Sequence, residues 1–269
     1  MRSPSVPLRP LTVGELLDAS VEVTRSAGRA VLPLALLLAA LEQVIMVWLR
    51  EGFFRGSIFP DVSDLIGPAW FAVAVGAGTE IAIIAILGVP ASRAAAAGVA
   101  GTAPRARDLL RPGAFVGAAF IALVAGVTAF TVTLLPLGWF VAYPLFGLAV
   151  AAAVIDRRNP VLALGRGVAM GLRGGGRAAG VRILGYISFL LVRLAFGFGL
   201  IAALGFFGID AGPWGQAACF AIVNTVAYAT LAGLDAVLHL EARIRTEGLD
   251  IALGRSPGPL TPADLAVTR

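Results

Sequence analysis

From Pro112 to Ile155 the chain runs 44 residues without one Asp, Glu, Lys or Arg. A helix rises about 1.5 Å per residue, and the hydrocarbon core of a bilayer is about 30 Å thick. A stretch of this length is therefore two membrane crossings rather than one. Pro136 and Gly138 stand near its middle, where a tight turn belongs, and divide it into spans near 113–134 and 137–155. Further apolar runs at 29–49, 68–89, 182–207 and 213–239 bring the expected number to six. Composition agrees. The chain is 58% hydrophobic and 14% charged, against about 25% charged in soluble domains. That is too little charge to cover a water-soluble protein of 269 residues. The expected fold class is all-α: a polytopic membrane protein with six transmembrane helices and amphipathic cytoplasmic helices.

The kinds of charge narrow the functions. All 21 basic residues are Arg. Chemistry that needs a lysine is excluded, including the phosphate-binding lysine of P-loops and Schiff-base formation. The single Cys, Cys219, permits no intramolecular disulfide. The single His, His239, leaves a zinc site without its usual partners. No metal and no cofactor is expected. The Ala- and Gly-rich, Lys-free composition is that of a high-GC bacterial genome. The net charge of +5 reads as positive cytoplasmic loops, not as a nucleic-acid surface.

Arginine placement orients the chain. Eighteen of the 21 arginines precede the first span, lie between spans two and three or four and five, or follow the sixth. Only Arg50 and Arg55 fall on the other side, and Arg193 lies within a span. Both termini are therefore expected in the cytoplasm, at a bacterial inner membrane. Trp48, Trp70, Trp139 and Trp214 all fall at the outer ends of spans, where an aromatic belt belongs. Glu15, Asp18 and Glu22 interrupt the N-terminal region, which is not patterned as a cleavable signal. The first span is expected to remain as an anchor.

Several segments are expected outside the membrane. Residues 1–26 hold an amphipathic helix. Thr12 and Glu15 have capping-box spacing, and Leu11 and Leu16 have hydrophobic-staple spacing. Glu15, Asp18, Glu22 and Arg25 form its polar face; Val13, Leu16, Leu17, Val21 and Thr24 form the other. Such a helix docks a partner or a membrane surface, or packs on the protein's own ends. A second helix is expected over 159–173, with Asn159 as N-cap and Pro160 at its first position. Its apolar stripe would be Val161, Leu164, Val168 and Leu172, and Gly174–Gly176 would end it. The basic face of this helix suits anionic headgroups. The sixth span is expected to extend over 241–253, with Glu241–Arg245 and Arg243–Glu247 pairs and Gly248 as a stop. The proline-bearing tail, 254–269, is expected to be disordered. A basic segment before each pair of spans suggests an internal repeat.

The two ends of the chain carry a resemblance. Arg9-Pro10-Leu11-Thr12-Val13-Gly14-Glu15-Leu16-Leu17-Asp18 resembles the RPL-x-x-GE-[IL]-LD opening of six-span bacterial proteins of the glycerophosphoryl diester phosphodiesterase membrane-domain family. Leu238 to Asp250, with Arg243, Arg245, Glu247, Gly248 and Asp250, resembles its LYYDLRIRKEGFD closing pattern. His239 and Glu241 stand where that pattern has Tyr and Asp. Asn159-Pro160-x-x-Ala163-Leu164-x-Arg166 is similar to its middle motif. The resemblance implies a multi-pass membrane protein. It does not bring the hydrolase, whose paired histidines and metal-binding carboxylates have no counterpart in a chain with one His. The two end motifs are expected to pack together.

Ionisable residues inside a span are costly and so are candidate sites. Glu80 lies about 18 Å below the outer surface and Arg193 about 17 Å above the inner one, if counted from Pro68 and Arg182. They are expected to pair, with Asn224 nearby and Glu42 as the competing partner. Asp235 and His239 lie near the inner end of the sixth span. Small residues such as Gly113/Gly117 and Gly205/Gly208 are expected to let helices approach closely. Two functions follow. One is a non-enzymatic scaffold or accessory subunit acting on membrane lipids, or on membrane or cytoplasmic proteins, through its cytoplasmic helices. The other is a small-molecule or lipid transporter or channel using the mid-membrane polar residues.

Overall fold

The computed structural model describes residues 7–53, 68–135, 137–255 and 258–267. The expected turn residue Pro136, Arg55 and most of the loop after the first span lie outside these residues. Helices account for the described secondary structure. They are α1 (Val13–Phe53), α2 (Pro68–Val99), α3 (Ala106–Leu109), α4 (Gly113–Thr133), α5 (Trp139–Val154), α6 (Pro160–Leu172), α7 (Arg177–Phe206), α8 (Gly212–Glu247) and α9 (Leu249–Gly254). Five of them are long and apolar enough to cross a membrane: α1, α2, α4, α7 and α8. The protein is therefore an all-helical, membrane-embedded one.

Helix α8 is the axis. From Ala227 to Ile244 every residue on it is buried. Antiparallel α1 lies along it: Thr24 Oγ1 donates to Ala229 O at 3.2 Å, and Gly233 sits against Ser20. Antiparallel α7 lies along it on another side, through pairs described below. Helix α2 packs on α1 and α8 and carries α4 on its far side. The α2–α4 contact is made by glycines. A Cβ on Gly78 would lie 2.8 Å from Gly126 O, and one on Gly126 would lie 2.9 Å from Gly78 O. Such backbone approach is how helices gain contact where lipid is as apolar as leucine. Many large apolar side chains meanwhile face outward, including Trp48, Leu123, Leu191 and Phe206. That surface suits hydrocarbon and not water.

Several sequence expectations need correction. The N-terminal amphipathic segment and the first span are one uninterrupted helix, α1, because the buried stripe runs on without a break through Leu16, Ala19, Val23, Ala27, Ala30, Val31, Ala35 and Ala39. Val21 falls off that stripe and is exposed. Helix α2 continues to Val99, ten residues past the expected end of its span. Helix α5 has 16 residues, fewer than the 137–155 span, since Leu137 adopts a positive φ of 67° and the helix starts only after Gly138.

The buried face of α6 is opposite in kind to the expected stripe. Ala163, Gly167, Met170 and Gly171 are buried, while Val161 and Leu172 are exposed. Close packing against α5 selects the small residues: a Cβ on Gly167 would lie 2.6 Å from Ala149 N. Of the glycines expected at close contacts, Gly117 faces Pro160, but Gly113, Gly205 and Gly208 have open space beside them. The described part of the tail is ordered against the bundle. Leu265 is buried, and its carbonyl accepts from Arg243 Nη1 at 2.5 Å. The prolines of the tail preclude helix but not docking.

Gly167→Ala is expected to lower the thermal unfolding temperature in detergent, by an overpacking cost of about 1–3 kcal/mol. Gly165 has nothing within 4 Å. Gly165→Ala should be neutral or gain about 0.5–1 kcal/mol from helix propensity.

Candidate functional site

Five polar side chains of α8 recur at positions 224, 228, 235, 239 and 243. At 100° per residue these lie within about a third of the helix circumference. One stripe of the most buried helix is therefore polar, and it meets Arg193, Arg182 and Asp156.

Its upper level is the mid-bundle network. Arg193 of α7 uses all three guanidinium nitrogens. Nη1 donates to Glu80 Oε1 at 2.6 Å, Nε to Asn224 Oδ1 at 2.9 Å, and Nη2 to Tyr228 Oη at 3.2 Å. Tyr186 Oη donates to Glu80 Oε2 at 3.0 Å. Glu42 Oε2 accepts from Tyr228 Oη at 2.8 Å and from Asn224 Nδ2 at 3.5 Å; its Oε1 accepts from Thr79 Oγ1 at 3.2 Å. Glu80, Arg193, Asn224 and Glu42 are thus brought together, as depth suggested. The depth reference was nevertheless misplaced. Arg182 does not mark a surface, because α7 begins at Arg177 and Arg182 is buried. The long arginine side chain absorbs the difference. Two carboxylates meet one guanidinium here, and hydroxyls and an amide satisfy the rest.

One level towards the other end, Arg182 makes a two-point ion pair with Asp235. Nε donates to Oδ1 at 2.6 Å and Nη2 to Oδ2 at 3.1 Å. The guanidinium lies 3.8 Å above the Tyr143 ring, a cation–π contact. Tyr143 stacks on Trp139 at 4.7 Å and touches Tyr186 at 4.7 Å. An aromatic chain therefore joins this pair to Glu80.

The third level is the end of the bundle that carries most of the arginines. Asp156, at the end of α5, is fully buried. His239 Nε2 lies 3.0 Å and Arg243 Nη1 2.8 Å from its Oδ1, and Arg166 Nε bonds its Oδ2. Burial alone would raise the Asp156 pKa. The His239 hydrogen bond and the charges of Arg243 and Arg166 outweigh that and hold it below the usual carboxylate range. Glu247 ties Arg166 at 2.9 Å to Arg243 at 3.1 Å. Beside this cluster Glu241 pairs with Arg245 and, at 3.4 Å, with Arg177. Both arginines donate to Leu11 O, Arg177 at 2.8 Å and Arg245 at 3.2 Å.

The end motifs therefore meet. The Thr12–Glu15 capping box forms, with Thr12 N donating to Glu15 Oε2 at 2.8 Å, and Arg9 pairs with Glu15. Asn159 Oδ1 accepts from Val161 N at 2.9 Å beside Pro160, and Gly248 ends α8 at a φ of 63°. Pro10, Gly14 and Asp18 lie at the surface, and Asp250 is half-buried in α9.

Sequence reading missed Tyr228, Tyr186 and Thr79 as network members, and Arg182, Tyr143 and Asp156 altogether. Two signals were available. Tyr228 lies one helical turn from Asn224, and Asp235 needed a buried cation that only Arg182 could supply from the same depth. Tyr143 and Asp156 carried no signal, since only the packing of α5 brings them inward.

Among the described residues no group of three His, Cys, Asp or Glu is placed to hold a metal ion. Two cavities bear on the site. One of about 420 Å³, towards the Trp70 and Trp139 end of the bundle, is lined by Trp70, Trp139, Phe140, Tyr186 and Leu190, and reaches Glu80. The other, of about 910 Å³, lies at the arginine-rich end. No protein-family model matches the chain, and no curated protein or solved structure matches it either.

Glu80→Ala and Arg193→Ala should each lower stability in detergent by about 3–5 kcal/mol, because each strands a buried charge. The double variant should cost clearly less than the sum, read from a double-mutant cycle of thermal unfolding. Strict additivity would mean no pair. Asp156 should produce an acid limb. Its depressed pKa makes its stabilising contribution complete above the unfolded-chain value of about 4 and progressively lost below it. Asp156→Asn should be less stable at neutral pH and should flatten that limb in unfolding curves taken across pH.

Proposed function

We propose that this chain is a non-enzymatic scaffold or accessory protein of a bacterial inner membrane, with six crossings and both termini in the cytoplasm. The observation that carries this reading is the closure of the mid-bundle network. The side-chain polar atoms of Glu42, Glu80, Arg193, Asn224 and Tyr228 are bonded to one another or to Tyr186 and Thr79. A transport site needs groups free to exchange partners, whereas these pin four helices at one depth. The only histidine is fully buried and holds Asp156 through Nε2. What the molecule offers to others is then its cytoplasmic end, where α6, α9 and the start of α1 converge. The resemblance of the two end motifs and the middle motif to the membrane-domain family supports the same placement, because those motifs build that end.

The sixth crossing is assigned to α5. Its 16 residues extend about 24 Å, and a short apolar helix is accommodated by local thinning of the bilayer. Exposed Leu135 and Leu137 lead into it. A second reading, transport of a small amphipathic molecule, draws on the outer cleft that reaches Glu80. Affinity purification in mild detergent with mass spectrometry separates the two. A protein partner retained equally by wild type and Glu80→Gln is expected. A small molecule bound by wild type and lost in Glu80→Gln would establish transport instead.

Topology is tested by cysteine labelling in a Cys219→Ala background. Glu51→Cys should react with a membrane-impermeant reagent from outside, and Arg173→Cys only after the membrane is opened. External labelling at position 173 would reverse the orientation.

A further inference from the structure

The cavity of about 910 Å³ at the arginine-rich end lies between α2, α3, the start of α4 and the turn from α5 to α6. Its wall carries Arg93, Arg105, Arg111, Arg157 and Arg158 against a single acidic residue, Asp108. The turn is built. Arg93 Nη1 donates to Leu109 O at 2.7 Å and to Arg111 O at 2.8 Å, which fixes the segment bearing Arg111. Arg157 is held at a φ of 55°, a backbone conformation that arginine rarely adopts. Arg158 Nε is buried without a hydrogen-bond partner, an uncommon state for a guanidinium nitrogen. Among the described residues, Arg105, Arg111, Arg157 and Arg158 make no ion pair. Five neighbouring arginines of this end differ: Arg166, Arg173, Arg177, Arg243 and Arg245 are all bound to carboxylates.

Apart from Thr102, the remaining wall is apolar and leads into the membrane-facing surface. Val116 lines the cavity and begins an exposed stripe on α4 that continues through Phe120, Leu123 and Val127. Those positions recur at helical spacing, so they form one face. A ligand here meets guanidinium groups at one end and a hydrocarbon-facing ridge at the other. Guanidinium forks match the geometry of phosphate oxygens, and a volume of this size is ample for a headgroup.

We propose that this cavity binds the phosphate of an anionic phospholipid, its acyl chains lying along Val116, Phe120, Leu123 and Val127. The site rests on the cytoplasmic placement of this end given above and names the class of molecule that the end holds.

The test uses the full chain in nanodiscs of phosphatidylcholine doped with phosphatidylglycerol, with retained lipid counted by native mass spectrometry. Wild type should retain phosphatidylglycerol over phosphatidylcholine. Arg105→Gln and Arg157→Gln should each lower that retention roughly five-fold, the size of one basic residue's attraction to an anionic surface. Both residues are exposed, so unfolding temperature in pure phosphatidylcholine should not change. Arg29→Gln and Arg255→Gln, exposed arginines outside the cavity, should retain the lipid like wild type. Equal loss in those controls would reduce the effect to general surface charge and overturn the proposal. Failure to prefer phosphatidylglycerol would also overturn it. Inorganic phosphate is the probe for a soluble source. If it displaces the lipid and protects wild type but not Arg157→Gln from unfolding, the occupant is a free phosphate and the lipid assignment fails. Labelling of Arg173→Cys from outside would sink the topology while leaving the measured lipid retention intact, so the two failures are told apart.

Discussion

Hydrocarbon offers no hydrogen bonds, so a charged side chain within it must find its partners in the protein. An unpaired Arg at mid-bilayer costs at least about 2.5–3.5 kcal/mol. The polar stripe of α8 answers this requirement for the whole bundle. Asn224 and Tyr228 receive Arg193, Asp235 receives Arg182, and His239 and Arg243 receive Asp156. Each contact fixes the depth and rotation of another helix against α8: α7 at two levels, α5 at the third. Glu42 adds α1 and Glu80 adds α2. Apolar packing among alanines and valines would tolerate sliding by a turn. These pairs do not, because a slip strands a charge.

The close glycine contacts depend on that registration. Gly78 against Gly126 and Gly167 against Ala149 bring backbones together where no side chain could intervene. Such contacts are rewarding only at one register. Polar pairs choose the register and small residues then exploit it, which is the division of labour expected where burial from water supplies little drive between helices.

The two ends of the bundle differ in kind. In the middle, one guanidinium and two carboxylates are bonded within a single network of hydroxyls and an amide. At the arginine-rich end, five arginines are spent on Asp156, Glu241 and Glu247, and two of them, Arg177 and Arg245, tie the start of α1 to the last turns of α8. Among the described residues, Arg105, Arg111, Arg157 and Arg158, around the cavity by the turn from α5 to α6, make no ion pair. A protein with 21 arginines and 16 acidic residues must leave some cations uncompensated, and the fold gathers four of them, Arg105, Arg111, Arg157 and Arg158, at one mouth.

Much of this was legible in one dimension. Helical class, long apolar runs, the capping box at Thr12, the Asn159–Pro160 start and the Gly248 stop are local, because hydrogen bonding and φ preferences act over a few residues. The Glu80–Arg193 pair was legible because depth along a helix is a linear count. Rotation is not. Which face of α6 is buried depends on how closely α5 approaches, and that approach favoured glycine and alanine over the valines and leucines that hydrophobicity selects. Where both sides of a helix are apolar, as in lipid, hydrophobic pattern does not distinguish interior from exterior. The unbroken α1, the docked tail at Leu265 and the burial of Arg182 were settled only in three dimensions. Each is a choice among partners far apart in sequence, made by the charge or the space that the neighbouring helix presents.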